Sequence, residues 1–141
     1  MQQLYRENPN LKRANVSIEF TKKQIQEYQK CMEDPVYFTE SYVKIVSLDE
    51  GLIPFKLYNF QRQMMWTFHT ERFTICKLPR QSGKSTTIIA YLLHFCLFNP
   101  TVSVAILANK AVVARDLLGR LQLAYEHLPK WLQQGVMTWN K

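Results

Sequence analysis

Phe73-Thr74-Ile75-Cys76-Lys77-Leu78-Pro79-Arg80-Gln81-Ser82-Gly83-Lys84-Ser85-Thr86 is the stretch on which the fold turns. Its first six residues are short, β-rich and mostly apolar, as in a buried strand. Pro79 to Gly83 break that run. From Lys84 to Phe98 the composition is helix-forming and apolar nearly all round, which predicts a buried helix. Val102 to Ala108 is a second β-like run. Strand, helix and strand in this order predict a right-handed βαβ crossover, the unit of a parallel, doubly wound α/β sheet. A further helix is expected over Ala111 to Leu128, with Val113, Leu117, Leu121 and Leu128 on one face to cover the sheet. Pro129 ends it, and Val136 to Trp139 begins another strand.

Between the first strand and its helix lies a candidate phosphate loop. The full pattern is G-x-x-x-x-G-K-[ST], and the eight positions here read Leu78 to Ser85, with leucine in place of the first glycine. The bare Gly-Lys-Ser is weak; its position between strand and helix carries the reading. Successive loop N–H groups and the first turn of a helix aim at one spot, where the helix dipole also favours negative charge. Gly83 allows close approach of a phosphate, and Lys84 sets an ammonium against the β and γ oxygens. Ser85 offers a hydroxyl to Mg²⁺, an ion that takes few protein ligands beside phosphate. Gln81, Ser82 and Thr86 complete the expected ATP-binding loop. The plain alternative is a strand-to-helix turn with Ser82 as an ordinary cap. Arg80 is placed to reach the γ-phosphate as an arginine finger in cis, and with Lys84 it is the catalytic candidate. Gln61 carries a carboxamide able to pair with adenine through donor and acceptor together. The expected architecture is therefore a RecA-like P-loop NTPase sheet, incomplete, preceded by a helical and hairpin lead-in.

That lead-in is legible residue by residue. Residues 1–20, polar and turn-rich, read as an arm, and 21–141 as the N-terminal portion of the ATPase domain. Thr21 and Gln24 form a capping box for one helix; Asp34-Pro35 caps and opens a second. Lys44–Leu48 and Leu52–Leu57 flank Asp49-Glu50-Gly51 as a hairpin. Asn59 is expected to cap a helix bearing Phe60, Met64 and Phe68. Ile45 to Glu50 imitates the apolar-then-acidic strand that supplies a catalytic base, but it precedes the phosphate loop instead of following it. It is read as a turn. After Ser85 the only acids are Asp116 and Glu126, so the acidic strand of such an ATPase has no counterpart here.

Composition narrows the function classes. The chain has 141 residues, 47% apolar, with a formal charge of +7. Residues 76–141 hold eight Lys/Arg against two Asp/Glu, a bias that favours polyanions. Three dispersed cysteines suggest neither a disulfide framework nor zinc, and reduced thiols in a cytoplasm are expected. The start lacks a secretory signal's order, and the longest apolar run, Ile88 to Phe98 with His94 inside it, is too short for a bilayer.

Five segments, taken together, point to a family. Asn10-Leu11-Lys12-Arg13-Ala14-Asn15, Tyr58-Asn59-Phe60-Gln61-Arg62, Arg80 to Thr86, Ala105-Ile106-Leu107-Ala108-Asn109-Lys110 and Trp139-Asn140-Lys141 resemble the large terminase subunit of T-even-type myophages. The likeness runs in order from about Asn8 to the last residue. It implies an ATPase that drives double-stranded viral DNA into a prohead, joined to an RNase H-like nuclease domain. It also implies ATP and Mg²⁺ as cofactors, a portal protein and small terminase subunit as partners, a homo-oligomeric ring, and the host cytoplasm as location. That family uses a phosphate loop without the first glycine, so Leu78 fits it. Lys84 and Ser85 match its phosphate and magnesium positions, Arg80 its cis arginine, and Gln61 its adenine-reading glutamine. The acidic strand, coupling motif and nuclease carboxylates have no positions here. A superfamily-2 helicase-like translocase and a nucleotide- or subunit-binding fragment without turnover are the competing readings.

Overall fold

A computed structural model describes residues 4–47 and 49–140. Leu48, which ends the first predicted hairpin strand, and Lys141, which closes the last family-like segment, lie outside them. Five helices and one hairpin are described: α1 (Lys22–Glu33), α2 (Pro35–Tyr42), β1 (Lys44–Ser47), β2 (Gly51–Pro54), α3 (Asn59–Thr70), α4 (Lys84–Phe98) and α5 (Ala111–Glu126). Local chemistry sets most boundaries. The Thr21 hydroxyl accepts from the Gln24 N–H at 3.2 Å while Gln24 Oε1 accepts from the Thr21 N–H at 3.0 Å, the expected capping box. Asp34 Oδ1 takes the N–H groups of Val36 and Tyr37 at 2.8 and 2.9 Å, with Pro35 opening α2. β1 and β2 pair antiparallel, Lys44 opposite Pro54 and Ser47 opposite Gly51, and Gly51 supplies the positive φ (72°) at the turn. The expected cap Asn59 is instead the first residue of α3; Tyr58 precedes the helix, and its N–H donates to Gln61 Oε1 at 2.9 Å.

α4 is the hub. It packs against α2, α3 and α5, and Ile89, Ala90, Leu93, His94 and Leu97 are buried along it. Phe38, Met65, Leu11 and Leu132 join it in one core. Each fully buried leucine contributes roughly 2 kcal/mol of transfer free energy. An ion pair between Arg62 and Glu40 at 2.7 Å ties α3 to α2, and the same carboxylate accepts the Leu57 N–H at 3.1 Å. Among the described residues no helix is long and apolar enough to cross a membrane.

The expected architecture is seen in part. Residues 73–78 and 102–108 are not ladder strands, so the described chain is mixed helix and strand, and its sheet is the two-stranded antiparallel hairpin. A parallel strand is held by its neighbours' N–H and C=O groups, and none of the described segments lies in ladder register beside either run. Ile75 and Leu107 are consequently 98% and 92% exposed. Residues 136–139 likewise form a single parallel bridge, Arg13 to Val136, and not a strand. That bridge changes the reading of the arm as well. Leu11 is 1% exposed within the core, and Gln133, buried beside it, receives the Lys12 N–H on Oε1 and donates from Nε2 to the carbonyls of Asn10, Tyr125 and Leu128. Residues 4–16 are thus stitched to the chain's far end.

Candidate functional site

The loop before α4 has the local geometry that its sequence predicts. Gly83 is the residue preceding the helix and sits in the left-handed region (φ 73°, ψ 10°). Gln81 also has positive φ (60°), a conformation that costs a non-glycine residue of order 1 kcal/mol. Lys84 opens α4, and Thr87, through both its N–H and its hydroxyl, bonds the Gly83 carbonyl at 3.0 Å, locking the loop to the first turn. Arg80 and Gln81 form a hydrogen-bonded turn that leads into the helix, and the N–H groups of Gly83 through Thr86 are the open donors of the helix start. Ser82 does not cap the helix. Its Oγ is buried without a partner.

Lys84 folds back over the loop's entry, its Nζ donating to the carbonyls of Pro79 at 3.0 Å and Leu78 at 3.4 Å. An ammonium has three donors, so one remains. Arg80 and Gln81 are exposed, while Ser82, Lys84, Ser85 and Thr86 are half-buried.

Beside the loop opens a cleft of about 830 Å³, walled by the hairpin, the start of α3 and the loop itself. Gln61, Gln81, Ser82, Gly83 and Thr86 line it. Arg80, Lys84 and Ser85 do not. Gln61 is 2% exposed, and its Nε2 lies 3.5 Å from the Ser82 carbonyl, so the carboxamide spans from the start of α3 to the loop. One lone pair and one amide hydrogen remain for a ligand.

Three lining residues escape sequence reasoning. The rings of Tyr58 and Phe60 stack with centroids 6.0 Å apart and planes 9° from parallel, forming an exposed shelf beside Gln61. Their i, i+2 placement just ahead of the glutamine is the sequence signal for them. Glu50, at the hairpin turn, also lines the cleft. It was read as a turn residue and is one; the fold of the hairpin brings that turn to the loop.

The arrangement fits an anionic ligand with a flat ring. Free N–H groups, an orphaned buried hydroxyl and a glycine where a Cβ would approach Gln61 Nε2 to 2.6 Å together form a cradle for phosphate oxygens. For a magnesium ion the loop offers the hydroxyls of Ser82, Ser85 and Thr86 and no carboxylate; among the described residues no group of three His, Cys, Asp or Glu side chains comes together. No protein-family model matches the chain.

Proposed function

We propose that this chain binds ATP with Mg²⁺ through residues 80–86 and is the nucleotide-binding part of a viral DNA-packaging motor of the large terminase type. The observation that carries the reading is the set of open N–H groups from the left-handed Gly83 to Thr86 at the start of α4, beside the orphaned Ser82 hydroxyl. Such a set has the polarity and spacing for the β- and γ-phosphates of a nucleotide. Lys84, already tethered across the loop, neutralises charge on those phosphates with its remaining donor. Ser85 would hold Mg²⁺, which would supply further neutralisation of phosphate charge. Arg80, exposed at the loop's turn, swings toward that group as a finger in cis. Gln61 reads the base edge, with the Tyr58–Phe60 shelf against its face. The strand-helix-strand order of residues 73–108 supports a parallel P-loop sheet as the wider architecture, with residues 73–78 and 102–108 as strands whose partners lie elsewhere. Double-stranded DNA, a portal protein, a small terminase subunit and a homo-oligomeric ring at the prohead in the host cytoplasm follow from the family resemblance.

A second reading, nucleotide binding without turnover, is favoured by one observation. Asp116 is engaged with Arg120 at 2.9 Å on the exposed side of α5 and does not line the cleft beside the loop. The described residues then bind nucleotide but leave activation of water to some other segment.

Trypsin tests the proposal. Arg80 is exposed and next to the phosphate position, so saturating Mg-ATP should slow cleavage after Arg80 about tenfold. Cleavage at the same rate with and without Mg-ATP would refute nucleotide binding at this loop.

A further inference from the structure

A second cleft, of about 680 Å³, opens where the arm meets the far end of the chain, and Leu4, Tyr5, Arg6, Arg13, Asn15 and Val136 are among its walls. Among the described residues no carboxylate lines it. Among the described residues neither guanidinium is paired with an acid.

Both arginines are held in place by backbone bonds on either side. The Tyr5 N–H donates to the Leu11 carbonyl at 3.0 Å, the Asn8 N–H to the Tyr5 carbonyl at 2.9 Å, and Leu4 bridges Lys12. Arg6 lies at the tip of this closed loop with φ 45° and ψ 42°, its guanidinium 5.5 Å from the centre of the Tyr5 ring. Asn15, across the cleft, is also left-handed, with φ 60°. Non-glycine residues keep such conformations only where surrounding contacts over-determine them, and they concentrate at binding sites. Arg13 owes its direction to extended-chain alternation. Lys12 turns inward, its Nζ donating to the Gln133 carbonyl at 3.3 Å, so the next side chain faces out.

We propose that this cleft binds phosphate oxygens of a nucleic-acid backbone through Arg6 and Arg13. The same chemistry would suit a free polyphosphate, but the observations favour the polymer. The backbone N–H groups of Ala14 and Val136 are already used, donating to Val136 and Lys12 carbonyls at 3.1 and 2.9 Å, and the two guanidiniums are the charged donors among the described lining residues. Two exposed guanidiniums on a chain of charge +7 match a repeating line of phosphates, read without sequence preference.

Anisotropy of a fluorescent random-sequence DNA duplex, titrated with the full chain and no nucleotide, tests this independently of the loop at residues 80–85. Arg6→Ala and Arg13→Ala should each weaken duplex binding several-fold and flatten the log K against log salt slope by about one, and the double variant by about two. The Arg6→Lys/Arg13→Lys chain, read alongside, should keep the slope, which separates charge from folding. Unchanged affinity and slope in the double alanine variant, or loss of the slope in the lysine variant while its circular dichroism remains native, overturns the proposal. Tripolyphosphate binding that depends on both arginines, with no duplex binding, overturns the nucleic-acid assignment in favour of a small polyphosphate.

Discussion

The carboxamide of Gln61 lies against Gly83: its Nε2 is 3.5 Å from the carbonyl of the preceding residue, and a Cβ on Gly83 would come within 2.6 Å of that nitrogen. One contact therefore couples the start of α3 to the start of α4. The loop at residues 80–86 and Gln61 cannot be altered separately.

Gly83→Ala makes the coupling measurable. The substitution adds the strain of a left-handed alanine and forces a side chain that is 2% exposed to move. Together these should cost about 1–3 kcal/mol of stability in denaturant titration and at least tenfold in ATP affinity. Gln61→Ala should restore part of the stability in the double variant, because the colliding atom is gone. Additive losses in the double variant would contradict the coupling.

Among the described residues Glu50 supplies the one negative charge on the wall of the cleft that the loop also lines. Glu50→Gln removes a repulsion screened by solvent and should tighten Mg-ATP binding about two- to fivefold at low salt, the gain fading as salt rises. Weakened binding would instead assign this carboxylate a direct role with the metal.

Gln133 is the most heavily bonded buried side chain between the two ends of the chain. Gln133→Ala leaves the Lys12 N–H without its acceptor and takes a donor from three carbonyls, of which Tyr125's keeps the Leu128 N–H, and should cost roughly 2–4 kcal/mol. Limited proteolysis should then cut the arm between residues 4 and 16 well before the helices. An arm as resistant as in the parent chain would remove its anchoring role.

His94 carries a pH dependence. Burial lowers its pKa from 6.5 to about 4, only partly offset by the hydrogen bond between Nε2 and the Cys31 carbonyl at 2.8 Å. Because the folded-state value is the lower one, the neutral ring's contribution is complete above the unfolded pKa near 6.5 and is lost as pH falls toward 4. The loss should reach about 3 kcal/mol across that window, seen as a falling midpoint in thermal melts. His94→Leu should flatten this window; an equally steep fall in the variant would place the dependence elsewhere.

Helices and hairpin were legible in the sequence because their signals are local. Thr21 with Gln24, Asp34 with Pro35, and Gly51 each act within four residues, and α4 begins at Lys84 and ends at Phe98 as its composition predicts. The runs at 73–78 and 102–108 misled because β-propensity describes a residue's fitness for a ladder, and the ladder itself is set by distant partners. The arm misled for the opposite reason. Its polar, turn-rich composition masks Leu11, whose burial depends on Gln133, more than a hundred residues away. At the site, Gln61 and residues 80–86 were visible as motifs, whereas Glu50 entered the cleft only through the path of the hairpin.

Calorimetric titration of Mg-ATP into the chain and into Lys84→Ala tests the central claim most directly. Saturable binding to one site, weakened at least tenfold by the substitution, is the result expected from an ammonium facing phosphate oxygens. Equal affinity in both chains, in the presence of native circular dichroism, would contradict it.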